Sequence, residues 1–476
     1  MATKLLLEQV CGEERLAVLE DGELMELYVS RGAGSLVGGI YVGRVQNVSP
    51  GLDAAFVDIG LEKNAYLSAA DWVPGEGETP PGPGAPIGEK LKAGQEILLQ
   101  VVKEPGGSKG CRASMVLTLA GRVTVLKPMD PGIAVSHRIE DAGERGRLTA
   151  IVRETLRGTG CGAILRTAAE GADEAALKEE LDALLDSWRS LRALAAVTRA
   201  PARLSGGEDL AVKAVRDCLH DGVEAIVTDS GELHDRLAAT LAALAPSRRG
   251  CLKPLWEGSL PVFDAERVDA QLEKAMRRIV WLKSGGFLAI DETEALTVVD
   301  VNTGKYTGGQ TLENTVLDIN LEAVREIARQ LRLRALGGIV IVDFIDMASP
   351  GDRQALMEAM AGAVKADRAQ VTVVDMTPLG LMELTRRRTR MPLSRQLYHI
   401  CEDCGGSGFV LSHESTARRA LRELWVRSRG GQTGFRLTAP KPVTDWVRTL
   451  GTPEGIRLRL CPDERMPAGT YRIEGE

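Results

Sequence analysis

The chain has 476 residues, 44% of them hydrophobic and 26% charged, an ordinary globular balance in a chain too long for one core, so about three domains are expected. A formal net charge of -7 argues against a protein that coats nucleic acid indiscriminately, which needs a basic surface, while leaving room for a local basic patch. No apolar run approaches the roughly 20 residues of a membrane-spanning helix, and the opening MATKLLLEQVCGEERL lacks a cleavage pattern for export, so a cytoplasmic protein without a membrane span is expected.

After a short opening segment, residues 38–72 alternate apolar and polar side chains, with turn signals at Pro50-Gly51 and Gly60; this predicts strands. The Pro- and Gly-dense PGEGETPPGPGAPIGEKLKAG reads as a surface loop. Strand character returns in QEILLQVVKE and CRASMVLTLA, and short strands at regular spacing predict a small closed barrel. Residues 121–170 continue as short strands, ending in GCGAILRTAAEG. A charged helix follows from Asp173 to Arg199, with Leu177, Leu181, Leu184, Leu185, Trp188 and Leu191 on one stripe. Short apolar runs alternate with helix from Gly207 to Leu244, and a second amphipathic helix spans Asp264 to Ile279.

The best-defined unit runs from Trp281 to Thr377. Strands FLAIDE and ALTVVDVN lead into the loop GKYTGGQ and a long helix that stops at Gly337-Gly338. The strand GIVIVDFIDM, a further helix and the strand QVTVVDMT complete an α/β layer. Asp300 and Asp343 both end strands, and Asn302 shares the Asp300 face because strand side chains alternate. If one crossover helix joins the strands in parallel, the carboxylates meet at one sheet edge, where α/β proteins place ligands. Such a pair suits Mg²⁺, which takes one or two carboxylates and keeps several waters; an aspartate that caps a helix or completes a turn gives the same pattern. The loop is not a P-loop, since Val299 and Tyr306 break that motif around Gly304-Lys305.

Six of the eight cysteines are scattered and read as buried thiols. Cys401 and Cys404 form a C-x-x-C pair, half of a structural zinc site; either His399 and Cys461 complete it, or a second chain does. Arg386, Arg387, Arg388, Arg390 and Arg395 form a local basic run, either a solvated face or a phosphate-binding patch.

The stretches VVDVNTGKYTGG, NLEAVREIARQLRLRALGGIVIVDFIDM and RRRTRMPLSRQ closely resemble the catalytic core of the ribonuclease E/G family, and the resemblance covers nearly the whole chain in the family's domain order. It implies a multidomain α/β and α+β protein. Residues 1–35 with 208–277 would form a split RNase H-like region, 36–118 an OB-fold barrel of the S-one type, and 119–207 a 5′-sensor. Residues 278–398 would form a DNase I-like catalytic domain, 399–412 a zinc link and 413–476 a small C-terminal domain. The implied activity is internal cleavage of single-stranded RNA to 5′-phosphate and 3′-hydroxyl ends, in RNA decay or rRNA and tRNA precursor processing.

By the same resemblance, Asp300 and Asp343 bind Mg²⁺ and Asn302 holds one of them by a hydrogen bond. Phe56, Tyr66 and Lys109 contact RNA on the barrel, where the two rings could otherwise fill its core; Tyr66 stands where the family commonly has Phe. Independently of the resemblance, the position of Arg386, Arg387, Arg388 and Arg390 just after the last strand of the catalytic layer suits them to bind RNA phosphates. Gly121, Val125, Arg166 and Thr167 form a pocket for a 5′-monophosphate, an arginine fork and a hydroxyl being suited to phosphate oxygens. Gln370 replaces a basic residue there and weakens the expected preference, although Arg368 is close by. Cys401 and Cys404 share Zn²⁺ between protomers, making a homo-oligomer, dimer or tetramer. Because the sequence ends soon after this link, no long disordered scaffold is expected. The competing reading is a non-catalytic RNA-binding or ribosome-associated protein on the same scaffold.

Overall fold

Two-residue turns shape the beginning of the chain. In this computed structural model, which describes residues 2–31, 36–74, 85–105, 110–206, 209–304, 312–347 and 349–476, strands β1 (Thr3–Val10), β2 (Glu13–Glu20) and β3 (Glu23–Arg31) form an antiparallel meander. Cys11-Gly12 and Asp21-Gly22 link them, all four residues having positive φ, the conformation whose twist matches flanking strands. The opening segment is therefore a sheet, where the sequence reading sees only a short lead-in. Two compact units make up the chain, Met1–Pro392 and Leu393–Glu476.

Strands β4 (Ile40–Ser49), β5 (Ala54–Asp58), β6 (Ala65–Ser68), β7 (Glu96–Lys103) and β8 (Arg112–Ser114) follow. Pairing runs β4-β5-β6-β8-β7 and returns from β7 to β4, closing a five-stranded barrel consistent with an OB-fold. Alternate side chains (Val45, Ala55, Val57, Ala65, Leu67, Leu99, Val101, Ala113) fill its interior.

Strands β9 (Leu119–Ala120), β10 (Thr124–Lys127), β11 (Ile133–Val135) and β12 (Gly162–Leu165) make a small sheet ordered β11-β12-β10-β9. The helices Ala142–Thr155 and Glu174–Val197 share its core. The first of these corrects the expectation of continuous short strands over 121–170. It begins at Asp141, whose carboxylate accepts the Glu144 N–H at 2.7 Å, an N-cap. The second buries Leu177, Leu181, Leu184 and Leu185 as its stripe predicts.

Past the short β13 (Ala202–Arg203), strand β14 (Val223–Thr228) runs parallel to β1 and completes the first sheet as β14-β1-β2-β3. One core joins Leu5, Leu7, Leu16 and Val18 to Leu210, Val215, Ile226, Leu233 and Leu237, so two distant segments build one layer. AVKAVRDCL is helical, passing from Leu210–Lys213 into a π-helical turn at Ala214–Cys218. The helix expected from Asp264 to Ile279 is broken by left-handed Arg267 and shortened to Val268–Ala275.

A large six-stranded sheet comprises β15 (Ile279–Trp281), β16 (Phe287–Glu292), β17 (Leu296–Asn302), β18 (Gly338–Asp343), β19 (Val371–Met376) and β20 (Leu381–Arg386), ordered β15-β16-β17-β18-β20-β19. It is mixed: only β17 and β18 pair in parallel. Strand β20 is absent from the sequence reading, yet Met382 and Leu384 bury on alternate positions between β18 and β19. Helices Leu312–Leu333 and Pro350–Val364 cover one face, with Ile319, Ala323, Val324, Ile327 and Leu331 packing on Val299, Val301, Val340 and Val342.

In the second unit, helices His413–Ser428 and Lys441–Leu450 pack on β21 (Gly434–Ala439), which lies between β22 (Arg457–Pro462) and β23 (Arg472–Gly475). Among the described residues no helix is long and apolar enough to cross a membrane.

Candidate active site and RNA-binding faces

Asp300 and Asp343 come together through register. The helix Leu312–Leu333 carries the chain from β17 back to β18, and the final parallel pair places Asp300 opposite Asp343. Neighbouring strands lie about 5 Å apart and matched residues share a face, so the carboxylates stand side by side while Val299, Val301 and Val342 turn into the core. Two residues on, Asn302 Nδ2 donates to Asp300 Oδ2 at 2.9 Å. Both carboxylates are exposed. Partial burial, then the charges of Asp300 and Asp346, push the Asp343 carboxyl above its ordinary range. Anions that raise one another's proton affinity are relieved by a bound cation. Among the described residues no three His, Cys, Asp or Glu side chains form a ready-made metal cage. The arrangement fits an ion that uses two carboxylates and keeps its waters.

A positioning residue escapes the sequence reading. Asn320 is fully buried within the apolar stripe of Leu312–Leu333. Its Nδ2 donates to the Ile345 carbonyl at 2.9 Å and its Oδ1 accepts the Ile345 N–H at 3.2 Å, pinning the backbone between Asp343 and Asp346. A lone amide among apolar helix positions was the available signal.

On the barrel, Phe56 and Tyr66 are register partners across β5 and β6, with ring centroids 6.1 Å apart and planes at 72°. Both are half-buried, while Ala55, Val57, Ala65 and Leu67 take the interior. The rings therefore lie on the outer face and do not fill the core. The same row continues to Arg112 on β8 and Lys103 on β7, both exposed. These two follow from strand register, which spacing alone does not reveal. Arg112 Nη2 also donates to Asp71 at 2.7 Å. Lys109 lies outside the described residues. Truncating Phe56 and Tyr66 together to Ala should weaken binding of single-stranded RNA by at least about tenfold, since stacking contributes ~1–3 kcal/mol per base. Fluorescence anisotropy with a labelled oligonucleotide measures this, and unchanged affinity rejects the platform.

Two of the four residues expected to form a phosphate pocket are joined directly, Arg166 Nη1 donating to the Gly121 carbonyl at 3.2 Å. Arg166 is about a third exposed and directs Nη1 and Nη2 to Asp217 Oδ1, both at 3.0 Å. Burial pushes the Asp217 carboxyl up, but hydrogen bonding and charge from Arg216, with Arg166 and Lys213, outweigh it and hold the group well below the usual carboxylate range. Thr167 Oγ1 lies 2.9 Å from Ser136 Oγ. Gly121 is needed for a different reason: a Cβ there would stand 2.3 Å from Glu180 Oε1. That buried carboxylate accepts the N–H groups of Arg122, Val123 and Thr124 and the Thr124 hydroxyl, so this row of donors is already satisfied. Val125 is half-buried opposite Ile164. Gln370 is exposed and left-handed, at φ 57. Arg368 Nη1 donates to Cys218 Sγ at 3.3 Å.

The basic run needs correction at two positions. Arg386 is buried in β20, with Nε donating to Asp367 Oδ2 at 2.7 Å and Nη1 to the Leu336 carbonyl at 2.7 Å. Its donors serve the core, because a β-strand that contributes Leu384 and Arg386 to the inner face takes the arginine with it. Arg390 stacks 4.1 Å from the Tyr28 ring centroid and donates to the Leu27 carbonyl, another internal role. Arg387 and Arg388 remain exposed, although Arg388 Nε donates to the Gly337 carbonyl at 3.1 Å.

In the second unit, Cys401 and Cys404 sit on a turn in which Gly405, Gly406 and Gly408 have positive φ. The backbone N–H groups of Gly408 and Gly406, then the Cys401 side chain, draw the Cys404 thiol below its ordinary range, as suits a thiolate ligand. Among the described residues no third ligand-type side chain joins the pair, so His399 and Cys461 do not complete a site with it there.

Residues 118–389 match the family described as the Ribonuclease E/G family. The chain is 38% identical over 431 residues to Ribonuclease G of Escherichia coli (strain K12), covering 89% of this chain and 88% of that one. It is 38% identical over 429 residues to Ribonuclease G of Haemophilus influenzae, covering 89% and 87%. Ribonuclease E of Nostoc sp. is 39% identical over 398 residues, 83% of this chain and 57% of that protein. With a family match over more than half its length and relatives aligned over most of theirs, this chain belongs to the ribonuclease E/G family.

Proposed function

We propose that this protein is an Mg²⁺-dependent endoribonuclease that cuts single-stranded RNA to 5′-phosphate and 3′-hydroxyl ends, in cytoplasmic RNA decay or in rRNA and tRNA precursor processing. The observation that carries the reading is the in-register pair Asp300–Asp343 with Asn302 bonded to Asp300. Asp300 and Asp343 would hold the ion. Bound there, Mg²⁺ would stabilise charge on a phosphoryl oxygen and make water a better nucleophile near neutral pH. Asn302 fixes the Asp300 rotamer, and Asn320 fixes the backbone that presents Asp343. Phe56 and Tyr66, with Arg112 and Lys103, hold bases and backbone on the barrel, and Arg387 and Arg388 add positive charge beside β20. We read the sheet that contains Asp300 as DNase I-like and the layer built by β1 and β14 as RNase H-like, in support of which stand the carboxylates at strand ends and the split core. The test is incubation of an end-labelled single-stranded RNA with and without Mg²⁺, with both product ends mapped; ends of another chemistry, or equal cutting in chelator, reject the mechanism.

Arg166 and Thr167 are read as the 5′-end contacts. Because Arg166 is shared with Asp217 and Gln370 is uncharged, the expected preference for a 5′-monophosphate over a 5′-hydroxyl is about tenfold, one charge-assisted hydrogen bond's worth. Cleavage rates of the two forms of one oligonucleotide check this, and equal rates remove the sensor from the reading.

Cys401 and Cys404 are read as half of a Zn²⁺ site completed by a second copy, giving a dimer or tetramer. Chelation is expected to halve the mass seen by sedimentation at fixed protein concentration and to release zinc at one ion per two chains. A mass insensitive to chelator counts against the link.

A further inference from the structure

The helix-free face of the large sheet bears an aromatic pair beside the carboxylates. Trp281, Phe287 and Asn302 are successive register partners across β15, β16 and β17, so all three stand on the face that carries Asp300 and Asp343. The row formed by Ala289, Asp300 and Asp343 lies two residues along the strands, about 7 Å away, within reach of one nucleotide. The two rings are 5.3 Å apart at their centroids and inclined by 56°. Trp281 is 63% exposed and Phe287 is half-buried. Neither ring serves the core, which Val280, Leu288 and Val301 fill from the opposite face. Ala289, opposite Asp300, is small and buried.

Trp281 also walls a cleft of about 740 Å³ that none of Asp300, Asn302 and Asp343 lines. Five basic side chains line that cleft (Lys274, Arg277, Lys283, Arg325 and Arg329) against three acidic ones, Glu23, Glu322 and Glu326. The cleft lies at the β15 edge beside the helix Leu312–Leu333, and three of these basic groups are already paired, Lys283 with Glu23, Arg329 with Glu326 and Arg277 with Glu273.

We infer that Trp281 and Phe287 form a stacking platform for a nucleobase of single-stranded RNA one nucleotide from the phosphate held at Asp300 and Asp343. The inference rests on the reading of those aspartates as the metal pair. Stacking accepts any base, so the platform acts on strandedness more than on sequence: a base paired inside a duplex cannot splay onto it.

The test uses the full-length protein with Mg²⁺ and a set of single-stranded RNAs, each with one abasic nucleotide at successive positions around the cleavage site. In the wild type, one position should slow cleavage by roughly 5- to 150-fold, the range of one stacked base. Trp281→Ala should slow the intact RNA by a similar factor and lose the abasic penalty at that position alone. Trp281→Phe should recover most of both. An abasic penalty that persists unchanged in Trp281→Ala overturns the inference. So does a Trp281→Ala protein whose sedimentation changes while its abasic profile does not, because a second copy would then cover the face. Binding of the same RNAs by Asp300→Asn and by Asp300→Asn/Trp281→Ala separates the platform from the metal reading. Loss of the abasic effect on binding there reports stacking even if the aspartates prove not to hold the ion.

Discussion

Asp343→Asn is expected to reduce single-turnover cleavage of a single-stranded RNA by about a thousandfold or more, equivalent to ~4 kcal/mol of lost transition-state stabilisation, and Asp300→Asn should do the same. Asparagine keeps the size and polarity of the side chain. Both positions are exposed and lie on the face away from the core, so the thermal midpoint should not fall. Relief of the crowding that raises the Asp343 carboxyl favours a small gain in stability. Asn302→Ala, which removes only an orienting bond, should cost about 10- to 100-fold, as loss of an outer-shell partner does. Cleavage by both aspartate variants at the wild-type rate would refute the proposed site, and loss of fold in either would show a structural role instead.

Arg386→Ala should destabilise the first unit by about 3–5 kcal/mol, the usual cost of leaving one member of a buried ion pair alone. Asp367 is as inaccessible as Arg386, at 5% and 6% side-chain exposure, and the Leu336 carbonyl would lose its donor as well. Urea denaturation measures the loss. Arg387→Ala and Arg388→Ala should behave differently, changing stability by no more than ~0.5 kcal/mol. Each should reduce the slope of log affinity against log salt for RNA by about one, as removal of a phosphate contact does. If Arg386→Ala folds as stably as the wild type and only its RNA binding falls, the assignment of this arginine to the core is wrong. One run of basic letters thus hides two kinds of residue, told apart by strand alternation.

The same contrast explains what is legible in the sequence. Asp300, Asn302 and Asp343 were readable because a strand end, an i+2 partner and a single crossover helix leave few ways to arrange them, and the observed pairing is the parallel one. The barrel was readable from alternation, which sorts Ala55 and Val57 from Phe56. Asp21-Gly22 is a hairpin signal in a segment without a long apolar run, and the arginines at its end obscure β20. Asp217 could not be anticipated as the partner of Arg166: 51 residues separate them, and nothing local links the two. Asn320 was visible only as an oddity until its bonds to Ile345 were seen.

The layer shared by β1 and β14 also has a meaning for how the protein is made. Thr3 pairs with Val223, so β1, once it has left the ribosome, waits for a neighbour about 220 residues behind it. At ordinary synthesis rates that delay is on the order of 10–40 s. The five barrel strands emerge and close within the interval. Throughout it, Leu5 and Leu7 lack the partners from 210–241 that later bury them, and the outer edge of β1 is open to any passing strand. Nascent chains halted before β14 should therefore depend on chaperones and aggregate on release, whereas chains extended past the helix Gly231–Leu244 should not.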